Sequence, residues 1–193
     1  MGTGGRPKVV VRIIAGKYKG RQLKSVPGLD VRPTSDRLRE TLFDILGQRL
    51  DGKSFLDVCA GSGAVGIEAL SRGAKSVTFI EQLRKASAVI RENLQVVSAE
   101  REAKVLVGDA APLLERLDQE SGRFDVIFCD PPYASPIYRD VMNRISSSSL
   151  LAEGGVLVVE HRAKTPPNAE YGDLRLYRDV RQGDSALAFY RRI

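Results

Sequence analysis

The stretch Ser54-Phe55-Leu56-Asp57-Val58-Cys59-Ala60-Gly61-Ser62-Gly63-Ala64-Val65-Gly66 decides the fold. Ser54–Val58 is short and apolar, the pattern of a buried strand. Gly61, Gly63 and Gly66 follow at Gly-x-Gly-x-x-Gly spacing, and a helix is expected from Ala64 to Arg72, closed by Gly73. Glycines between a strand and a helix allow a tight turn and bring backbone close to a ligand.

Strands and helices alternate from there onward. Ser76–Glu81 reads as a strand, Leu83 to Val97 as a helix, Ala103–Val107 as a strand and Ala111–Leu117 as a helix. Phe124–Cys129 is a nearly uninterrupted apolar strand, Ile137–Ile145 a weaker helix and Gly155–Glu160 another strand. This predicts an α/β fold with a parallel sheet covered on both faces. The end differs: Leu174–Val180 and Ala186–Tyr190 are separated only by Arg181-Gln182-Gly183-Asp184, so the last strand must run antiparallel. Parallel strands closed by one antiparallel hairpin is the arrangement of S-adenosylmethionine-dependent methyltransferases.

Glu81 ends the strand after the glycine turn, where a carboxylate accepts from ribose hydroxyls. Gly108-Asp109-Ala110 ends the third strand, and an acid there can accept from an adenine amino group. These signals suit an adenosine-bearing cofactor without separating S-adenosylmethionine from NAD. Asp130-Pro131-Pro132-Tyr133 separates them. The prolines end the strand and leave their carbonyls free as acceptors. Asp130 adds an acidic acceptor and Tyr133 a flat surface. Together they suit a planar heterocycle with an exocyclic amino group, whose delocalised lone pair two acceptors can localise for attack on a sulfonium methyl. Positioning and electrostatics then supply the rate, with no metal.

The chain of 193 residues and 21.1 kDa suits one compact domain. Two cysteines, Cys59 and Cys129, and one histidine, His161, nearly exclude zinc clusters, Cys-His proteases and His triads. Both cysteines are expected as free, buried thiols of a cytoplasmic protein, and His161 as a structural residue. No apolar run reaches membrane-spanning length, and the polar start lacks a signal-peptide core.

The net charge of +6 is concentrated. Residues 1–33 carry +7, while the rest carries −1. A polyanion such as nucleic acid is the natural partner of such an arm. Three parts are expected: a disordered tail over 1–8, a basic β-hairpin extension over 9–33 that binds RNA, and the catalytic domain over 34–193. Arg12, Lys17, Lys19, Arg21, Lys24 and Arg32 are the candidate RNA contacts. Tyr18, between two lysines, is expected to pack rather than stack on a base. Thr34 or Ser35 caps a predicted helix carrying Leu38, Leu42, Ile45, Leu46 and Leu50, which Gly52 ends.

Residues 11–193 resemble the RsmD-type 16S ribosomal RNA guanine-N2 methyltransferases. The resemblance rests on Arg12-Ile13-Ile14-Ala15-Gly16 with Gly20-Arg21, on Arg32-Pro33-Thr34-Ser35-Asp36-Arg37-Leu38-Arg39-Glu40-Thr41-Leu42-Phe43, on Asp57-x-x-Ala60-Gly61-Ser62-Gly63, and on Asp130-Pro131-Pro132-Tyr133. It implies a seven-stranded Rossmann-like fold and methylation of one guanine of 16S rRNA, of the 966 type, in free rRNA or a 30S particle, by a monomer. It also implies that the Arg32–Phe43 block, with Thr34 and Arg39, borders the methionine end of the cofactor. Asp57, Ala60, Gly61, Gly63, Glu81, Asp109 and Ala110 complete the expected cofactor site, with Asp130, Pro131, Pro132 and Tyr133 catalytic. A carboxylate accepts from both N1–H and N2–H of guanine, which favours guanine slightly. The rivals are an adenine-N6 methyltransferase acting on DNA or RNA, and a non-catalytic RNA-binding assembly factor.

Overall fold

The computed structural model describes residues 11–27, 36–131 and 136–193. The chain opens with an antiparallel hairpin of β1 (Val11–Arg12) and β2 (Gln22–Leu23), then α1 (Asp36–Leu46). The alternating part follows as β3 (Ser54–Val58), α2 (Ala64–Ser71), β4 (Ser76–Glu81), α3 (Arg84–Val97), β5 (Ala103–Val107), α4 (Ala110–Gln119), β6 (Phe124–Cys129) and α5 (Pro136–Ser146). It closes with β7 (Leu151–Arg162), β8 (Glu170–Tyr171), β9 (Leu174–Gln182) and β10 (Ser185–Arg192).

One sheet carries the fold, in the order β5-β4-β3-β6-β7-β10-β9-β8. The first five strands of that order are mutually parallel, and β10 enters antiparallel between β7 and β9. This is the expected arrangement, with the two-residue β8 added at the edge. The expected helix after Pro33 stops at Leu46, before Leu50, because Gly47 takes a left-handed backbone (φ 104). The strand order runs outward from β3 through β4 to β5 and then reverses to β6, so the ends of β3 and β6 form the crevice where ligands bind in such sheets.

Each face of the sheet has its own core. Phe55, Phe79 and Phe128 meet α1, α2 and α3 on one side. Ile127, Val159 and Tyr190 meet Leu114, Val141 and Ile145 of α4 and α5 on the other. The hairpin belongs to the first core through Val11, Ile13, Tyr18 and Leu23. Tyr18 is buried there, with Lys17 and Arg21 stacked over its ring, so it packs as expected.

Buried polar groups fix the hairpin in place. Glu68 of α2 accepts from the Ile14 and Ala15 N–H groups at 2.8 and 3.0 Å. Ser71 Oγ accepts from Tyr18 N–H and donates to the Ala15 carbonyl. The Ser71 carbonyl accepts from Lys17 N–H at 2.7 Å. The approach is close enough that a Cβ on Gly16 (φ 82) would lie 1.9 Å from the Ser71 oxygen, so only glycine fits.

Candidate active site

The glycine turn has the geometry its sequence requires. Cys59 leaves β3 with a left-handed backbone (φ 62), and Gly61 and Gly63 continue the turn at φ 57 and 77. Gly66 serves packing: a Cβ there would lie 2.3 Å from the Phe79 ring of β4. Its N–H donates to Asp57 Oδ2 at 2.9 Å. Asp57 is only 1 % exposed and acts on the cofactor loop from beneath. Burial, with a smaller contribution from the Glu81 charge, pushes its carboxyl up to about 8 despite the Gly66 hydrogen bond.

That shift has a sign. The folded state holds the Asp57 proton from pH about 4, where the unfolded chain releases it, up to about 8. Its stabilising contribution is complete below about 4 and lost as pH rises toward 8. Asp57→Asn is therefore expected to flatten the stability profile over that window, where one proton accounts for up to about 1.4 kcal/mol per pH unit. Urea melts of both proteins at several pH values check this, and parallel profiles would refute it.

Glu81 holds the front of the turn. Its Oε2 accepts from Gly61 N–H at 2.7 Å and its Oε1 from Leu83 N–H at 2.8 Å. At the next strand end Gln82 Nε2 donates to Asp109 Oδ1 at 2.7 Å, and Ala110 starts α4 beside it. Among the described residues, its two chain neighbours aside, no atom lies within 4 Å of the Cβ position of Gly61, so these residues leave open space in front of the turn. An open glycine turn at the end of β3, followed along the sheet by carboxylates at the ends of β4 and β5, fits an adenosine: the nearer carboxylate for ribose hydroxyls, the farther for the adenine amine. Glu81→Ala is expected to weaken S-adenosylmethionine binding by about 1–3 kcal/mol, through lost ribose contacts and a loosened turn. Calorimetric titration reads the change, and unchanged affinity would remove Glu81 from the site.

Asp130 stands at the end of β6, beside that turn. Val58 pairs with Cys129 and Cys129 with Val159, which sets the ends of β3 and β6 level while β7 runs on to Arg162. Asp130 N–H donates to the Val58 carbonyl at 3.2 Å, and Pro131 is buried next to it. Burial drives the Asp130 carboxyl well above the ordinary carboxylate range, and Glu160, Cys59 and Asp57 add to the shift in that order. The Cys129 thiol is also pushed up, first by its hydrogen bond with Cys59 and then by burial. Both cysteines are free; Cys129 is buried as expected, whereas Cys59, on the left-handed turn at the end of β3, is only half-buried. Pro132 and Tyr133 lie outside the described residues, as do Thr34 and Arg32.

The remaining expected site residues are dispersed. Arg39 is 1 % exposed, and its Nη2 donates to the Arg12 carbonyl and to Asp36 at 2.7 and 2.9 Å. It braces α1 against the hairpin, while its Nε and Nη1 are buried without a partner among the described residues. Arg12 pairs with Asp36, Lys24 with Glu92, and Arg21 donates to the Val96 carbonyl. Lys17 and Lys19 occupy the hairpin tip, beside the last residue of α2. His161 is buried, with Nε2 3.0 Å from Asp179 and Nδ1 2.9 Å from the Arg162 carbonyl. Two further residues belong to the site, and no motif announces either. Gln82 lies in a strand-end loop. Asn93, buried on α3, bonds both Lys24 backbone groups and the Ser62 carbonyl, joining hairpin to glycine turn. Among the described residues no group of His, Cys, Asp and Glu could hold a metal ion, and no helix is long and apolar enough to cross a membrane.

A family model described as conserved hypothetical protein 95 matches residues 11–191. The ribosomal RNA small subunit methyltransferase D of Escherichia coli (strain K12) is 33 % identical over 182 residues, covering 94 % of this chain and 90 % of that one. A solved structure of a hypothetical protein of Thermus thermophilus superposes with a TM-score of 0.80 at 31 % identity, over 93 % of this chain and 98 % of that one. The Thermus thermophilus 16S rRNA N2 G1207 methyltransferase, solved with AdoMet and guanosine, shares the fold at a TM-score of 0.74 and 20 % identity, over 95 % of this chain and 50 % of that one.

Proposed function

The chain belongs to the family of the conserved hypothetical protein 95 model, the RsmD-type methyltransferases, and from that premise we propose that it transfers a methyl group from S-adenosylmethionine to the exocyclic N2 amine of a guanine in 16S rRNA. The observation that carries this reading is the position of Asp130. An acidic acceptor stands at the end of β6, level with the end of β3 and next to an open glycine turn. The relative in Escherichia coli is named for the small-subunit rRNA, and the fold-related Thermus enzyme was solved with guanosine.

Bound S-adenosylmethionine supplies an electrophilic methyl on a sulfonium. The chain supplies everything else. Gly61, Glu81 and Asp109 hold the adenosine, and Asp57 holds the turn. Asp130 accepts from N1–H and N2–H of guanine, two donors that only a carboxylate satisfies together. Those donors draw the Asp130 carboxyl toward its ionised form as the base docks, against the burial that otherwise keeps it protonated. The N2 lone pair is thereby localised and aimed at the methyl. The N–C bond would form as the carbon–sulfur bond breaks, releasing the neutral thioether. The proton shed by N2 would pass to the Asp130 carboxylate that already accepts from it, so attack needs orientation more than a strong base.

Incubation with methyl-labelled cofactor and 16S rRNA, followed by nucleoside analysis, tests the proposal. Labelled N2-methylguanosine is expected. Labelled N6-methyladenosine would overturn the guanine assignment, and no transfer to rRNA or to 30S particles would overturn the activity.

A further inference from the structure

Phosphate contacts need cations not already engaged with carboxylates. Of the hairpin cations, Arg12 and Lys24 are paired with Asp36 and Glu92 and Arg21 is held by the Val96 carbonyl, and the tip lysines sit where α2 ends. That helix begins at the glycine turn, and its eight residues span about 12 Å. The tip therefore points down the flank of the molecule, away from Asp130.

Another set of cations reaches the catalytic edge. Thr41 of α1 donates to Gln182, the last residue of β9, at 2.7 Å. Arg37 lies one turn before Thr41 on the same helix face, above that edge. Further down β9, Arg178 shares the face of Val180 and Gln182, the side covered by α1. The register shift between Phe189 and Tyr190 leaves Tyr177 as an extra residue of β9, beside Arg178. Tyr177 is 42 % exposed, rests on Phe189, and carries the Arg191 guanidinium 5.2 Å from its ring centroid. Arg37, Arg178 and Arg191 have no carboxylate partner among the described residues. Arg175 and Arg192, on the same two strands, pair with Glu170 and Asp173.

The level is also right. Cys129 pairs with Val159, Val159 with Ala188, and Ala188 with Asp179, so Arg178 and Gln182 bracket the height of Asp130. Three inter-strand spacings separate β6 from β9, about 14 Å. β8 pairs only with the start of β9 and the Ala169 carbonyl accepts from Leu176 N–H, so among the described residues this ribbon is open along its outer side over 177–182.

Resting on the proposed rRNA methylation, we propose that Arg37, Arg178 and Arg191 with Tyr177 form a track for single-stranded rRNA leading to Asp130. The arginines bind successive phosphates, and Tyr177 stacks a base that flanks the target. The same arginines would also discourage pairing at an open sheet edge, and the experiment separates the two roles.

The test is binding of a 16S rRNA fragment as a function of salt, by fluorescence anisotropy. Each phosphate contact contributes about −0.7 to the log–log slope. The variant Arg37→Gln/Arg178→Gln/Arg191→Gln is expected to flatten the slope by about 2 with unchanged melting temperature, and Arg178→Gln/Arg191→Gln, which leaves the Arg32–Phe43 block intact, to flatten it by about 1.4 with unchanged S-adenosylmethionine affinity. Tyr177→Leu is expected to weaken binding at fixed salt and leave the slope alone. An unchanged slope and affinity in a folded triple variant would overturn the track. Should the triple variant aggregate, Arg37→Gln lies on a helix and not at the edge, and a slope change below about 0.3 there would equally overturn it. Methyl transfer by the unaltered protein is measured alongside, so failure of the rRNA reading shows separately from failure of the track.

Discussion

Asp130→Ala is expected to lower turnover at least about 100-fold while S-adenosylmethionine affinity stays near that of the unaltered protein. In the proposed reaction the carboxylate would meet only the reacting base, so its contribution would be largest in the transition state, where the amine gains positive charge. A pH profile separates this role from mere shape. Burial and the neighbouring Glu160 hold the free carboxyl protonated above the usual range. Activity, which uses the carboxylate, should therefore rise with pH along a limb displaced upward from about 4. Asp130→Asn keeps the size, loses that limb, and turns a donor toward one of the guanine donors. Near-normal turnover in either variant, or an unchanged limb in Asp130→Asn, would sink the mechanism.

Local signals carried most of the fold. β3, β4, β5 and β6 have the bounds that their sequence runs predict; for β3 and β6, in the middle of the sheet, burial leaves little freedom in composition, whereas the edge strand β5 is only half-buried and is marked by its alternation with helices. The antiparallel β10 follows from a connection too short for any crossover. The glycine turn and Glu81 were legible for the same reason, since each combines a residue type with a place at a strand end. Long-range polar pairing was not legible. Glu68 lies in Ala64–Ser71, an otherwise apolar and small-residue helix, and its partners Ile14 and Ala15 are more than fifty residues away. Nothing local says what a buried carboxylate meets. Charge counting had the opposite weakness: it located the basic arm but could not show that Arg12 and Lys24 are paired with acids in the fold. Nor could it show that the arm contributes to the core. Removing residues 1–24 would uncover Glu68, Ser71 and Asn93 together, so a truncation would disturb folding before it reported on RNA.

Glu68→Ala is expected to be the most damaging single change to stability. Glu68 is fully buried, and its two oxygens receive three donors: Ile14 N–H, Ala15 N–H and Arg72 Nε at 2.8 Å. Alanine would strand two backbone N–H groups and leave the buried Arg72 guanidinium, which covers the Phe43 ring, without its counter-charge. Breaking one side of a buried ion pair costs about 3–5 kcal/mol. At about 2–4 °C per kcal/mol for a chain of this size, the melting temperature should fall by about 10 °C. Glu68→Gln discriminates between volume and electrostatics. It fills the same space, but its amide NH₂ must face one of three donors, so it too should destabilise, by about 1–3 kcal/mol. Amide hydrogen exchange locates the damage. Ile14, Ala15 and Tyr18 should lose protection first, since their N–H groups bond only to α2, while Phe55 and Ile127 in the central strands should follow global unfolding. A glutamine variant as stable as the unaltered protein would mean that Glu68 fills space and that apolar packing alone holds the hairpin.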